Sequence, residues 1–366
     1  MEDSKIRVGI TQGDINGIGY EVILKAFEDP TMLELCTPIV YGSPKVAAYH
    51  RKALGLTTNF SIVGSASEAQ DGRLSVVNCI PDEVKVDLGK ADPDAGRAAL
   101  AALEKAVDEY KDDLIDVIVT APINKHTIQS EGFDFPGHTE YFEECLGDGQ
   151  RSLMILMKGD LRVALVTGHI PVSRIAESIT KEAILDKIAI FHHSLRQDFS
   201  IGAPRIAVLS LNPHAGDGGL LGTEEHDFIE PAIREANAKG MLCFGPFPAD
   251  GFMGSGNYLR FDGILAMYHD QGLAPFKTLS MDEGVNYTAG LPVVRTSPAH
   301  GTAYDIAGQG VASPDSFRQA IYAAIDIYRN RLREEEARQN PLRRQFYDKH
   351  DDSDKLKHME KPDDSL

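Results

Sequence analysis

The chain has 366 residues, 42% of them hydrophobic, and carries a net charge of -18 with an isoelectric point near 5.1. That length allows a large core, divided between two lobes, while so acidic a field opposes nucleic acid, whose phosphates need clustered Lys and Arg. The start, MEDSKIRVGITQGD, lacks the apolar core of a signal peptide, and no uninterrupted apolar run is long enough to cross a bilayer, so a cytoplasmic protein with no membrane partner is expected.

In chain order, short β-branched runs alternate with helical patterns, the signature of an α/β fold with a largely parallel sheet. Strands are expected at IRVGIT, TPIVYG, LSVVNCI, DVIVTAP, LRVALVTGH, RIAVLSLNPH, DGILAMYH and PVVRTS. Before DVIVTAP, the segment DPDAGRAALAALEKAVDEYKDDL has Asp at its start and apolar residues at helical spacing. After RIAVLSLNPH, the segment TEEHDFIEPAIREANAKG opens on Thr223 and acidic residues and closes on Gly240; both predict helices. A last helix is expected from near Pro314, losing its apolar stripe beyond Leu332, and the mixed-charge tail from Asn340 is expected to lack firm packing. Cys36, Cys79, Cys145 and Cys243 include no C-x-x-C pair, which suits reduced thiols rather than disulfides or a thiolate zinc site.

Polar residues recur just past these strands: His169 ends LRVALVTGH, His214 ends RIAVLSLNPH, and His269 ends DGILAMYH. In open α/β sheets ligands gather in the crevice beyond the carboxyl ends of strands, so three such histidines can converge on one divalent cation and leave positions for a substrate. A turn histidine bonded to a backbone carbonyl is the plainer alternative, and the sequence leaves both open. His138 and Thr139 follow the Pro-Gly turn of FPGHTEYF, where side chains and helix N-terminal amides can hold an anion; an ordinary helix start capped by Thr139 accounts for them as simply. Lys125 in TAPINK reads as a solvated surface lysine. In LNPHAGDGGLLGTEE, Gly216, Gly218, Gly219 and Gly222 miss the G-x-G-x-x-G spacing by one residue, and there is no P-loop.

The stretch RTSPAHGTAYDIAGQGVASP, residues 295–314, resembles the HGSAPDIAGKGIANP loop of the isocitrate and isopropylmalate dehydrogenases, which bind NAD(P) without the Rossmann fingerprint. Taken with GDINGIGYE, TAPINK, FPGHTEYF, VTGHIPVSRI, LNPHAGDGG, GPFPAD, AMYHDQGLAPFK and VNYTAGLPVVRTS, in order from about Arg7 to about Ile327, it makes the chain resemble the 4-hydroxythreonine-4-phosphate dehydrogenase family of pyridoxal phosphate biosynthesis. The resemblance implies a two-lobed α/β/α fold of the isocitrate/isopropylmalate dehydrogenase type with its active site in the cleft. Residues 1–135 with 296–339 would form the cofactor-side lobe, 136–295 the lobe carrying metal, substrate and dimer contacts, and 340–366 a polar tail.

The resemblance also implies residue roles. His169, His214 and His269 would be the metal ligands, the last donated across a homodimer interface. His138, Thr139, Lys277, Asn286 and Arg295 would hold a phosphorylated hydroxy-acid substrate, with Asp250 and Lys277 in the catalytic machinery. His300, Gly301, Thr302 and Asp305 would belong to the loop around NAD, or NADP. The metal implied is zinc, ahead of magnesium, manganese or cobalt. One departure is plain: the family's G-D-P-x-G-I-G-P-E has Ile15 and Tyr20 here in place of its prolines, which puts the rigidity of that loop in question. The chemistry suits the residues, because a cation lowers the pKa of an alcohol that must lose hydride, and the β-keto acid then formed decarboxylates readily. Two rivals stand beside this expectation: a dehydrogenase of D-erythronate or D-threonate 4-phosphate, and a non-enzymatic protein that binds metal and phosphate.

Overall fold

The computed structural model describes residues 5–81, 83–129 and 133–339, so the polar tail from Asn340 lies outside the described residues. Among the described residues one continuous sheet contains twelve strands. They are β1 (Ile6–Thr11), β2 (Cys36–Gly42), β3 (Phe60–Val63), β4 (Leu74–Asn78), β5 (Val117–Thr120), β6 (Leu153–Lys158), β7 (Leu161–Leu165), β8 (Arg205–Leu209), β9 (Leu242–Phe247), β10 (Gly263–Ala266), β11 (Val285–Ala289) and β12 (Arg295–Pro298). Their spatial order is β3-β4-β2-β1-β5-β12-β11-β6-β7-β10-β8-β9.

The strands from β3 to β12 pair in parallel, as do β7, β10, β8 and β9. Between them lie successive antiparallel pairings of β12 with β11, β11 with β6 and β6 with β7. The fold is therefore the expected α/β class, with two parallel halves that run in opposite senses and meet at an antiparallel centre. Parallel strands are covered on both faces, so β2 is buried at every residue and β5 likewise.

The helices form where the sequence directs them. Asp92 accepts a hydrogen bond from the Asp94 amide and Pro93 opens the helix Pro93–Lys111, which buries Ala95, Ala98, Ala102, Leu103 and Ala106 at helical spacing. The segment from Thr223 forms a π turn at Glu225–Ile229 that runs into the helix Glu230–Ala238. The last helix, Asp315–Gln339, buries Phe317, Ile321, Ala324 and Ile325, then continues through the charged run past Leu332. No described helix is long and apolar enough to cross a membrane.

The loop that lacks its prolines is well held. Ile15 and Tyr20 are each 1% exposed. The Tyr20 hydroxyl donates to Gln12 Oε1 at 2.7 Å, and His50 Nε2 lies 2.9 Å from the Ile15 carbonyl. Asn16 accepts from the Asp87 amide at 2.8 Å and donates to the Lys90 carbonyl at 3.0 Å. Burial and side-chain hydrogen bonds do here what proline would do by restricting φ.

Candidate active site

A cavity of about 560 Å³ opens over the antiparallel strands β6, β11 and β12. Among the described residues its lining carries Lys125, Lys187, Lys277 and Arg295 against one carboxylate, Glu140. In a chain of net charge -18, this local reversal of sign suits a small anion.

Arg295 is 1% exposed. Its guanidinium donates to the hydroxyls of Thr288 and Thr120, lies 5.8 Å from the centroid of Phe142, and leaves Nε without a partner. Among the described residues none of its hydrogen-bond partners is a carboxylate. Burial pushes Arg295 down to about 9, with Glu140 opposing, so the group is still a cation at neutral pH. A buried cation whose partners are neutral is a receptor for an incoming anion.

The groups around Arg295 are also incompletely bonded. His138 opens the helix His138–Leu146, with extended Gly137 at its N-cap, so Thr139 lies inside the first turn rather than capping it. Burial first, then Arg295 and Lys125, hold the His138 imidazole well below its ordinary value, and its Nε2 lacks a partner, as does Asn286 Oδ1 on β11. His300 Nε2 is likewise unpartnered, while Nδ1 lies 3.0 Å from the Gly301 carbonyl; burial lowers its pKa. A bound ligand can satisfy such buried polar atoms.

The three histidines singled out by sequence follow the ends of three adjacent parallel strands, β7, β10 and β8. His169 and His269 meet, their ring centroids 5.3 Å apart. His269 Nδ1 lies 2.7 Å from Asp270 Oδ1; a carboxylate only accepts, so Nδ1 donates to it and Nε2 is the ring nitrogen left to face a ligand. Although its outer edge is exposed, His169 is held below its ordinary value by burial first, then by Lys125 and His269. His169 thus suits a cation as a neutral donor, and His269 offers its outward nitrogen.

His214 does not join them. It lines a second cavity with Asp250, Tyr268, Gln271 and Pro275. The reason is local: His214 to Gly218 form a left-handed run, with φ of 52°, 53°, 80°, 46° and 64°. Glu225 pins the start of the loop by accepting from the Leu211 and Asn212 amides at 2.9 and 2.7 Å. The helix His269–Ser280 separates the cavities, with His269, Leu273 and Lys277 on one stripe and Gln271 and Pro275 on the other. Gln271 fixes this helix by accepting from the Met267 amide at 2.7 Å and donating to the Ser210 carbonyl at 2.6 Å. Among the described residues no three His, Cys, Asp or Glu side chains are grouped to hold a metal. One chain therefore fits the implied cation with two donors and leaves the third, with Asp250, next door.

Of the four residues in the cofactor stretch, His300 and Gly301 line the main cavity. Thr302 packs beneath Gly17, where a Cβ would come within 2.8 Å of the Thr302 carbonyl, and Asp305 is exposed outside. Gly301 has open space where a side chain would stand, which suits the close approach of a nucleotide. Sequence reading missed Lys187, which reaches the cavity from the helix Lys181–Gln197 and donates to the Ser152 carbonyl at 3.1 Å. A lysine on an amphipathic helix carries no signal that distinguishes it from a solvated one. Lys125, read as a surface residue, lines the same cavity.

The fold and cleft define an α/β enzyme shaped for a small anionic substrate. The chain belongs to the family described as pyridoxal phosphate biosynthetic protein PdxA, whose pattern it matches over residues 34–324, and it is an oxidoreductase. It is 75% identical, over 98% of both chains, to a 4-hydroxythreonine-4-phosphate dehydrogenase of Bacteroides thetaiotaomicron. It is 38% identical, over 88% of this chain and 94% of the other, to a Cutibacterium acnes protein provisionally named D-threonate 4-phosphate dehydrogenase. A solved 4-hydroxythreonine-4-phosphate dehydrogenase of Klebsiella pneumoniae superposes with a TM-score of 0.77 at 32% identity, covering 89% of this chain and 98% of that one.

Proposed function

We propose that the chain oxidises 4-phosphooxy-L-threonine at C3 with NAD, giving 2-amino-3-oxo-4-phosphooxybutanoate, which loses carbon dioxide to form 3-amino-2-oxopropyl phosphate. The observation that carries this reading is the buried Arg295, hydrogen-bonded among the described residues to hydroxyls alone, in a basic cavity of a chain closely similar to enzymes named for that activity. Bound NAD would supply the hydride acceptor, and a divalent cation on His169 and His269 would supply a Lewis acid for the hydroxyl.

The chain's own groups do the rest. Arg295 offers a planar fork to phosphate or carboxylate. Neutral His138, with Nε2 unpartnered, and the Thr139 hydroxyl orient the same anion, while Asn286 turns its free Oδ1 toward a donor on the substrate. Glu140, the one carboxylate among the described lining residues, favours a substrate that brings an ammonium over a sugar acid. Once C3 is a ketone, the carboxylate is β to it and leaves as carbon dioxide. Lys277, two turns beyond His269 on the same helix stripe, then gives a proton to the enolate carbon.

The working unit in this proposal is a homodimer with its site at the interface. It is supported by the split of the histidines, which leaves His214 and Asp250 available to a second copy and makes His214, rather than His269, the ligand that crosses. Exposed Leu220, Leu221, Leu242, Phe244 and Leu259 offer apolar surface for such a contact. The two-lobe division at residues 135 and 296 is supported by the change of pairing where β12 meets β11.

The test is NADH absorbance with NAD and a divalent metal, comparing 4-phosphooxy-L-threonine with D-erythronate and D-threonate 4-phosphates. Preference for the amino substrate, lost on adding chelator, is the expected result. Preference for a sugar acid would keep the fold and move the substrate, and silence with all three would overturn the reading.

A further inference from the structure

The segment residues 299–312 is held within itself mainly by turns, with Ile306, Ala307 and Gln309 amides each donating three residues back and Ala303 at a positive φ of 46°. Its ties to the rest of the lobe come largely from the first motif, GDINGIGYE. The Ile18 amide donates to the Thr302 carbonyl at 3.1 Å, and Gly17 is bare where any Cβ would strike that carbonyl. Glu21 accepts from the Ala312 amide at 2.9 Å, and Lys25, paired with Glu21 at 2.8 Å, donates to the Gly310 and Ala312 carbonyls. In the middle of the segment the Tyr304 hydroxyl donates to Asp14 Oδ2 at 2.6 Å, and the Asn124 side chain bonds the same phenol oxygen.

We propose that GDINGIGYE is a cradle that presets residues 299–312 for the nucleotide, and that Tyr304 is the positioning residue that latches this loop through Asp14. This rests on the dehydrogenase reading above. The contacts are uneven in a way that singles out Tyr304. The two ends of the loop are fixed by backbone hydrogen bonds and by Glu21 and Lys25, but the turn at 303–309 has one charge-assisted side-chain tie, a phenol to a 1% exposed carboxylate. Asp14 is itself oriented by the Asn16 amide, which donates to Oδ1 at 2.9 Å, so the latch engages a fixed acceptor. Asn124 precedes Lys125 of the main cavity, and the phenol thus also ties the loop to the segment that carries that lysine. A loop held in its binding conformation loses less freedom when ligand arrives, and affinity rises accordingly.

The test is Tyr304→Phe, which removes one hydroxyl and keeps the ring. In protein without nucleotide, amide hydrogen exchange across 302–310 is expected to quicken roughly tenfold while exchange in the core strands is unchanged. By calorimetric titration the Kd for NAD is expected to rise about tenfold, with KM for NAD following and kcat within about twofold. Asp14→Asn, which keeps an acceptor for the phenol, is expected to fall between wild type and Asp14→Ala. Unchanged exchange in Tyr304→Phe overturns the latch, as does faster exchange with an unchanged Kd for NAD. Wild-type protein that binds no NAD overturns the dehydrogenase reading instead, and the exchange comparison still decides whether Tyr304 holds the loop.

Discussion

Replacing Arg295 by Met separates function from stability, because the two should move in opposite directions. The guanidinium is fully enclosed, and its displacement by burial down to about 9 corresponds to several kcal/mol of cost at about 1.4 kcal/mol per pH unit. Against that cost stand hydrogen bonds from Thr120 and Thr288 as acceptors, each worth about 1 kcal/mol. Arg295→Met keeps much of the volume and removes the cost, so unfolding in urea should give a stability equal to or above wild type. Catalysis should suffer, since a fork-shaped contact to phosphate or carboxylate is worth about 3 to 4 kcal/mol, or roughly 100- to 1000-fold in kcat/KM. Inorganic phosphate at about 100 times its Kd should stabilise wild type by about 2.7 kcal/mol and the variant by little. Loss of several kcal/mol of stability with kcat/KM nearly unchanged would refute the reasoning and make Arg295 a structural residue.

Three further outcomes follow from the same structure. His50, His138 and His300 are all held below their ordinary value, burial being the largest cause. Each stays neutral when folded but takes a proton when unfolded below pH about 6.5, so its contribution is full above that pH. It falls by up to about 1.4 kcal/mol per pH unit below that point; urea midpoints at pH 7.5, 6.5 and 5.5 should decline, less so in His50→Gln. Asp198, buried to 2% and paired with Arg331 Nε at 2.7 Å, also accepts from the Tyr287 hydroxyl at 2.7 Å. Arg331→Met strands that carboxylate and should cost about 3 to 5 kcal/mol in urea unfolding. Finally, inactive His269→Ala and inactive His214→Ala subunits, mixed and allowed to exchange, should recover about a quarter of wild-type activity. Half the dimers would be mixed and each would carry one intact site; no recovery would place all three histidines in one chain.

Much of this molecule is legible in its residues, and the failures have physical causes. The eight strands read from β-branched runs are all present, since those runs are buried on both faces. The four missed ones lack that mark. β3 is a short, partly exposed edge, β6 reads LMILMK with residues equally at home in helices, β9 contains Gly245-Pro246, and β11 mixes Asn286 and Thr288 among its apolar residues. The site was legible as histidines beyond strand ends and as motifs that resemble a family. It was not legible that a left-handed turn would carry His214 to the far side of the helix bearing His269 and Lys277. Nor can sequence tell a cavity lysine such as Lys187 from a solvated one, because only the packed neighbours make the difference.

The most direct check on the central claim is to count products from a single substrate. Purified protein, NAD, a divalent metal and a limiting amount of 4-phosphooxy-L-threonine are run to completion, and NADH and carbon dioxide are measured together. The account predicts equal amounts of both and neither when the metal is chelated. NADH without carbon dioxide, or no NADH from this substrate, would contradict it.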